Sequence, residues 1–367
     1  MSREQEQDRA VFLDGIRGWA SLMVLLSHLL VFTLPGASPA YSGWYIAFPS
    51  DGNLAVFVFF VLSGFALTIG YLQTGRLQVI SSLALRRYLR LAIPVLASSL
   101  LALTMLKAGL FDNARAGDAT HNAWLSGFYA FPADFVACLK FALYDVFFAY
   151  TGHDTYNPVL WTMSIEFFGS FFVFSLAAIA LGAKKRVHIL LAVLAYLAFT
   201  RNIYYLPFLL GLLIALHYRI PGQSPLLRRI APLALLLAAY YSSSSLRGGL
   251  AGLPAIPRSD FLTLSAAGLI VFFASLDSPV RAFFENRFSR YLGSISFPLY
   301  LTHFLVICSF TSLLMVEIPK HGLGPVASGH VNLVATLLVC FAVAHGFRRV
   351  ESFSIAAARR FSDALMK

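Results

Sequence analysis

FLDGIRGWASLMVLLSHL, residues 12–29, decides how the rest of the chain is read. The apolar run continues to Leu34, yet Asp14, Arg17 and His28 sit inside it. A helix rising about 1.5 Å per residue needs roughly 20 apolar residues to cross a hydrocarbon core, and this run supplies them. Ionisable groups are costly at such depth, face the bundle interior and mark function. Asp14, Arg17, Ser21 and His28 fall at spacings of 3, 4 and 7, which places them in one stripe of a helix. Arg17 and His28 are then about 16 Å apart along the axis, one near a membrane surface and the other most of the way across. Arg3, Arg9 and the small residues Ala37, Ser38 and Ala40 imitate a signal peptide with its cleavage site. The run is long enough to span and holds the histidine, so a retained first helix is expected.

The composition of the 367 residues agrees. Apolar residues make up 58% and charged residues 12%, and the mean hydropathy is +0.73. Soluble domains carry about a quarter charged residues, so soluble, disordered, collagenous and coiled-coil chains are excluded and the bilayer is the solvent. A net charge of +11 would suggest nucleic acid in a soluble chain. Here most of the positives mark one side of a membrane, and no nucleic-acid partner is expected. Cys138, Cys308 and Cys340 lie in apolar runs with no C-x-x-C spacing, so neither a disulfide framework nor a metal site is expected.

Apolar runs fall near 12–34, 53–72, 88–108, 158–182, 187–200, 203–217, 229–242, 261–276, 291–316 and 331–347. The expected fold is all-α, a polytopic bundle of about ten transmembrane helices. If the ten cross in turn, 21 of the 28 Lys and Arg fall on the side of the amino terminus. The positive-inside rule then sets both termini in the cytoplasm. A further run at 135–150 holds Lys140 and Asp145 and would invert every later loop if it crossed, so a short re-entrant or interfacial helix is expected there. The organisation expected is a cytoplasmic tail 1–11, a single membrane domain 12–350 and a cytoplasmic tail 351–367.

Three more constellations carry chemistry. RRYLRLAIP at 86–94 places Arg86, Arg87 and Arg90 at a membrane surface, where guanidinium groups bind phosphates bidentately or meet lipid head groups. LWTMSIEFF at 160–168 buries Glu166 in an apolar helix, a position that calls for a cationic partner, a proton or a substrate. GSISFPLYLTHF at 293–304 sets Tyr300 and His303 at i, i+3. Ser63 in FFVLSGF reads as a small residue for close helix packing. No H-E-x-x-H, G-x-S-x-G or P-loop is present.

Taken together, these motifs resemble the acyltransferase-3 family of integral membrane O-acyltransferases, whose first helix carries an Arg, ten residues, then a His. Arg17 and His28 fit that spacing. FFVLSGF, RRYLRLAIP, LWTMSIEFF and GSISFPLYLTHF follow in the family's order, so the resemblance spans residues 12 to about 350. Two landmarks depart from the family's pattern: Glu166 is followed by Phe167 rather than an acidic residue, and the C-terminal Glu-x-Pro appears as Glu351, Ser352, Phe353.

The resemblance implies transfer of an acyl group, usually acetyl, from cytoplasmic acyl-CoA to a hydroxyl of a carbohydrate or other acceptor. It adds a multi-pass location in the bacterial inner membrane, among membrane lipids. Acetyl-CoA is the co-substrate expected, with no metal. Arg86, Arg87, Arg90 and Arg17 are candidates to hold its phosphates. His28 is the candidate general base, Glu166 the candidate group that orients it, and Asp14 a partner for Arg17. Tyr300 and His303 are supporting candidates, and an acyl-enzyme on His28 is a variant route. The competing reading is a proton-coupled transporter of a glycan or lipid-linked intermediate, against which no inverted repeat or paired broken helices are found.

Overall fold

The computed structural model describes residues 11–41, 49–182, 186–199, 203–218, 225–242, 260–276 and 278–367. Of the tail expected at 1–11, residues 1–10 lie outside them. Each of the ten apolar runs forms a helix. In chain order these are α1 (Val11–Leu26, prolonged by wider and tighter turns to Gly36), α2 (Gly52–Thr74) and α3 (Leu77–Lys107). Short helices α4 (Asn113–Thr120), α5 (Ala123–Ser126) and α6 (Phe135–Lys140) precede α7 (Thr162–Gly182), α8 (Arg186–Phe199), α9 (Leu206–Tyr218) and α10 (Pro225–Ser242). The chain continues with α11 (Asp260–Ser275), α12 (Pro279–Glu285), α13 (Arg287–Val306, prolonged to His321) and α14 (Pro325–Leu365).

Among the described residues six helices are long and apolar enough to cross a membrane, and a seventh candidate is the bent pair α11 and α12. This is a multi-pass membrane fold. The expected count of ten crossings exceeds the six because α8 and α9 have only 14 and 13 residues and the remaining runs are short or bent. Residues 351–365, read from the sequence as a tail, continue α14 and pack on α3: Ser354 Oγ donates to the Arg90 carbonyl at 3.4 Å and Ser82 and Ser362 hydroxyls lie 3.1 Å apart. The 135–148 segment is helical and Lys140 bonds to Asp145 at 2.6 Å.

Helices in lipid gain no hydrophobic attraction for one another, so close packing and polar contacts must hold them together. The α1–α13 pair shows how. Gly18 lies against Leu292 and Gly293, with backbone where a side chain would stand, and Gly15 lies in the same way under the Phe284 carbonyl of the adjoining α12. The approach lets Ser21 Oγ donate to the Ser296 carbonyl at 2.7 Å and Trp19 Nε1 to Ser289 Oγ at 2.9 Å. Gly64 of α2 and Gly211 of α9 make a second such contact.

A buried ionic link joins three helices. Glu166 of α7 accepts from Arg87 of α3, and Ser63 Oγ of α2 donates to the same carboxylate oxygen at 2.6 Å. Both charged side chains are largely hidden, at 8% and 14% exposure, so removal of either would leave the other as an uncompensated buried charge.

Two outcomes follow from this packing. Gly18→Leu overpacks the α1–α13 contact, at a cost of roughly 1–3 kcal/mol, and lowers the melting temperature in detergent. Gly346→Ala, where an added methyl meets nothing within 4 Å, leaves it unchanged. Glu166→Ala strands the Arg87 charge at a cost of about 3–5 kcal/mol, and pairing Glu166→Leu with Arg87→Met restores most of the loss; melting curves of the single and double variants measure it.

Candidate active site

His28 sits where α1 widens. Residues Ser27–Thr33 form a π-helical turn, and α13 makes the same change at Ile307–Thr311, directly after His303. Such wide turns concentrate at functional positions because they re-aim side chains. Here they flank the contact between the two rings: His28 Nδ1 lies 3.0 Å from His303 Nε2. Thr33 Oγ1 donates to the His28 carbonyl at 2.7 Å.

The hydrogen bonds assign the protons. His303 Nδ1 lies 2.9 Å from the Leu299 carbonyl, which can only accept, so Nδ1 carries the proton. With both rings neutral, His303 Nε2 is therefore an acceptor and His28 Nδ1 is the donor to it. That leaves the lone pair of His28 on Nε2, free to take a proton. His303 is fully buried and His28 half-buried. Aromatic rings surround His28, with Phe304 edge-on at 5.3 Å and Trp124 nearly parallel at 6.1 Å between ring centres.

The arginines lie at the other end of α1. Arg17 Nη1 donates to Asp14 Oδ1 at 2.8 Å, the i, i+3 pair expected from the sequence. Arg86, Arg87 and Arg90 line a cavity of about 30 Å³ with Leu67 of α2 and Ile355 and Ala358 of α14. Arg86 Nε donates to the Ser82 carbonyl at 3.0 Å and its charge faces Arg359 and Asp363 of α14. Glu351, also on α14, is within electrostatic reach of Arg90, Arg17, Asp14 and Arg348. Three helices thus gather positive charge at one place, whereas Arg87 is engaged by Glu166.

That engagement corrects one expectation. Glu166 was to orient His28, but its hydrogen bonds go to Arg87 and Ser63, and the side chain at His28 Nδ1 is His303. The physical reason is charge: a buried carboxylate takes the cation within reach, and Arg87 stands on the adjacent helix. Tyr300 serves the scaffold. Its hydroxyl donates to the Val159 carbonyl at 2.6 Å and meets Thr162 Oγ1 at 2.7 Å, while its ring lies 6.2 Å from that of His303. Asn157 Nδ2 donates to the Leu301 carbonyl at 2.8 Å and braces the same stretch of α13 beyond Pro298. Sequence reasoning missed the partnership of Ser63 with Glu166, the place of Glu351 among the arginines and the position of Trp124 over His28. Only for Ser63 was there a signal, a hydroxyl inside an apolar helix that needs a partner. Among the described residues no group of three or more His, Cys, Asp or Glu side chains is placed to hold a metal ion.

Comparison with known proteins bears on what this arrangement belongs to. Residues 11–345 match Acyl_transf_3, described as an acyltransferase domain. A relative, Acyltransferase clz18 of Cochliobolus lunatus, is 23% identical over 395 aligned residues that cover 82% of this chain and 83% of that protein. No solved structure matches the chain. The transporter reading gives way to that match, and with His28, His303, Arg17, Arg86, Arg87 and Arg90 all inside the matched region, the chain belongs to the acyltransferase-3 family of membrane acyltransferases.

Proposed function

We propose that the protein transfers an acyl group, acetyl in the first instance, from acyl-CoA to a hydroxyl of a carbohydrate acceptor, with His28 as general base. The observation that carries this reading is the Leu299 carbonyl–His303–His28 chain, which presents an unshared lone pair at His28 Nε2. An alcohol has a pKa far above neutrality, so its proton must leave as the carbon–oxygen bond forms. His28 Nε2 takes that proton while the acceptor oxygen attacks the thioester carbonyl. The tetrahedral adduct collapses by breaking the carbon–sulfur bond, and the proton passes from His28 to the departing CoA sulfur. As His28 becomes cationic its Nδ1–H bond to His303 becomes charge-assisted, the service that a carboxylate renders in a serine hydrolase triad.

The donor's phosphates are assigned to Arg86 and Arg90 with Arg17 nearby, and Arg87 to the wall of that site. Phosphates bear negative charge that planar guanidinium groups match. The pantetheine arm then runs along the α1 stripe toward His28. In this reading the arginine end faces the cytoplasm, ten helices cross, and the 135–148 helix lies at the interface, in agreement with the charge distribution of the loops. A bacterial inner membrane and an envelope or exported glycan as acceptor complete the proposal.

Purified protein in nanodiscs is expected to bind acetyl-CoA, seen as thermal stabilisation, and to release CoA thiol when an acceptor is supplied. Absence of both would overturn the reading. His28→Ala lowers turnover by about 10²-fold or more without lowering the melting temperature. His303→Ala lowers kcat less, and His303→Gln, which keeps an acceptor for His28 Nδ1, recovers part of it. Arg86→Ala with Arg90→Ala raises KM for acetyl-CoA and leaves kcat nearly unchanged, because those contacts are the same in ground and transition states.

A further inference from the structure

His28 does not face open solvent. Phe32, one turn further along the chain, stacks on Trp124 with ring centres 5.0 Å apart. Trp124 is nearly parallel to the His28 ring, at 15°, and meets Phe304 edge-on at 5.8 Å. Phe128 closes the other edge, 5.1 Å from Trp124 and 4.8 Å from Phe304. Aromatic side chains from three elements, α1, α13 and the 113–128 segment, therefore cap the ring whose lone pair is the proposed base.

The cap is fastened by its own polar groups. Asn113 Nδ2 donates to the Leu125 carbonyl at 3.0 Å and to the Phe128 carbonyl at 2.8 Å. Asn122 Nδ2 donates to the Phe32 carbonyl at 2.6 Å, and Asn122 Oδ1 accepts from the Leu125 amide at 3.1 Å. Asp112 N donates to the Cys308 carbonyl at 3.0 Å, which ties the start of the segment to the wide turn of α13. These bonds hold the backbone that carries Phe32, Trp124 and Phe128 in place.

A base able to deprotonate a sugar hydroxyl is equally able to deprotonate water, and attack by water would waste the acyl donor. Excluding water is one of the ways a closed site suppresses side reactions. An aromatic face admits the C–H face of a sugar ring and offers a water molecule no partner. We propose that Trp124 is the residue that sets specificity for a carbohydrate hydroxyl over water, shielding His28 until a sugar ring displaces or covers the cap; this rests on the acyltransferase reading above. Its neighbours Phe32 and Phe128 hold Trp124 in position.

The test is a gain of function. Acetyl-CoA is supplied to nanodisc-embedded protein with no acceptor, and the released CoA thiol is measured. Trp124→Ala is expected to hydrolyse acetyl-CoA at least about fivefold faster than wild type, and adding His28→Ala to it removes the gain. A purely structural role for Trp124 would lower activity and never raise it. If folded Trp124→Ala hydrolyses no faster than wild type while both still bind acetyl-CoA, the proposal is overturned and the acyltransferase reading stands. If neither protein binds or consumes acetyl-CoA, the acyltransferase reading fails and takes this proposal with it. Should Trp124→Ala fail to fold, Trp124→Leu keeps most of the apolar bulk without the ring and is judged by the same two outcomes.

Discussion

The contact between α1 and α13 is what the rest of the structure depends on. In lipid, two helices approach closely only where their faces are nearly bare, because backbone must lie against backbone before short polar side chains can reach across. Gly18 and Ser21 on one helix and Gly293 and Ser296 on the other provide such a seam. One turn of α-helix repeats about every 5.4 Å, so the seam carries the same alignment on to His28 and His303. Their 3.0 Å separation is a consequence of helix packing several turns away.

The same dependence explains why ionisable groups inside the bundle come in partnered sets. Arg87 and Glu166 neutralise one another with Ser63 as a further donor, and Arg17 pairs with Asp14. His28 and His303 solve the problem without a net charge: two neutral rings joined end to end to a backbone carbonyl. A carboxylate at the place of His303 would hold His28 more strongly but would bring an uncompensated negative charge into a fully buried position. In a membrane bundle a histidine is the cheaper group for orienting another histidine.

Much of this was legible in the sequence. The apolar runs all became helices because length and hydropathy are local properties, and the arginine stripe and the i, i+3 pair of Asp14 and Arg17 follow from helical spacing alone. What the sequence hid was partnership between distant segments. Glu166 announced that it needed a cation but not which one, and three arginines were available in RRYLRLAIP. His28 and His303 are 275 residues apart, and nothing in either motif states that their helices touch. Nothing in the sequence placed Trp124 at His28, because that stacking depends on where the 113–128 segment folds back and not on its composition. Local rules reached the elements, and tertiary contacts assigned the roles.

The two ends of α1 give the molecule its chemical direction. At one end the α3 guanidinium groups Arg86, Arg87 and Arg90 line a small cavity, and Glu351 of α14 lies within electrostatic reach of Arg90, Arg17 and Arg348. At the other end the charges vanish, and neutral rings, aromatic faces and satisfied backbone groups enclose the histidine pair. A charged, phosphorylated carrier is attracted to the first environment and repelled by the second, while an acyl group with its thin arm fits the second and finds nothing to bind in the first. On the proposed function, a donor built from both parts is drawn in one orientation, with its reactive carbonyl toward His28.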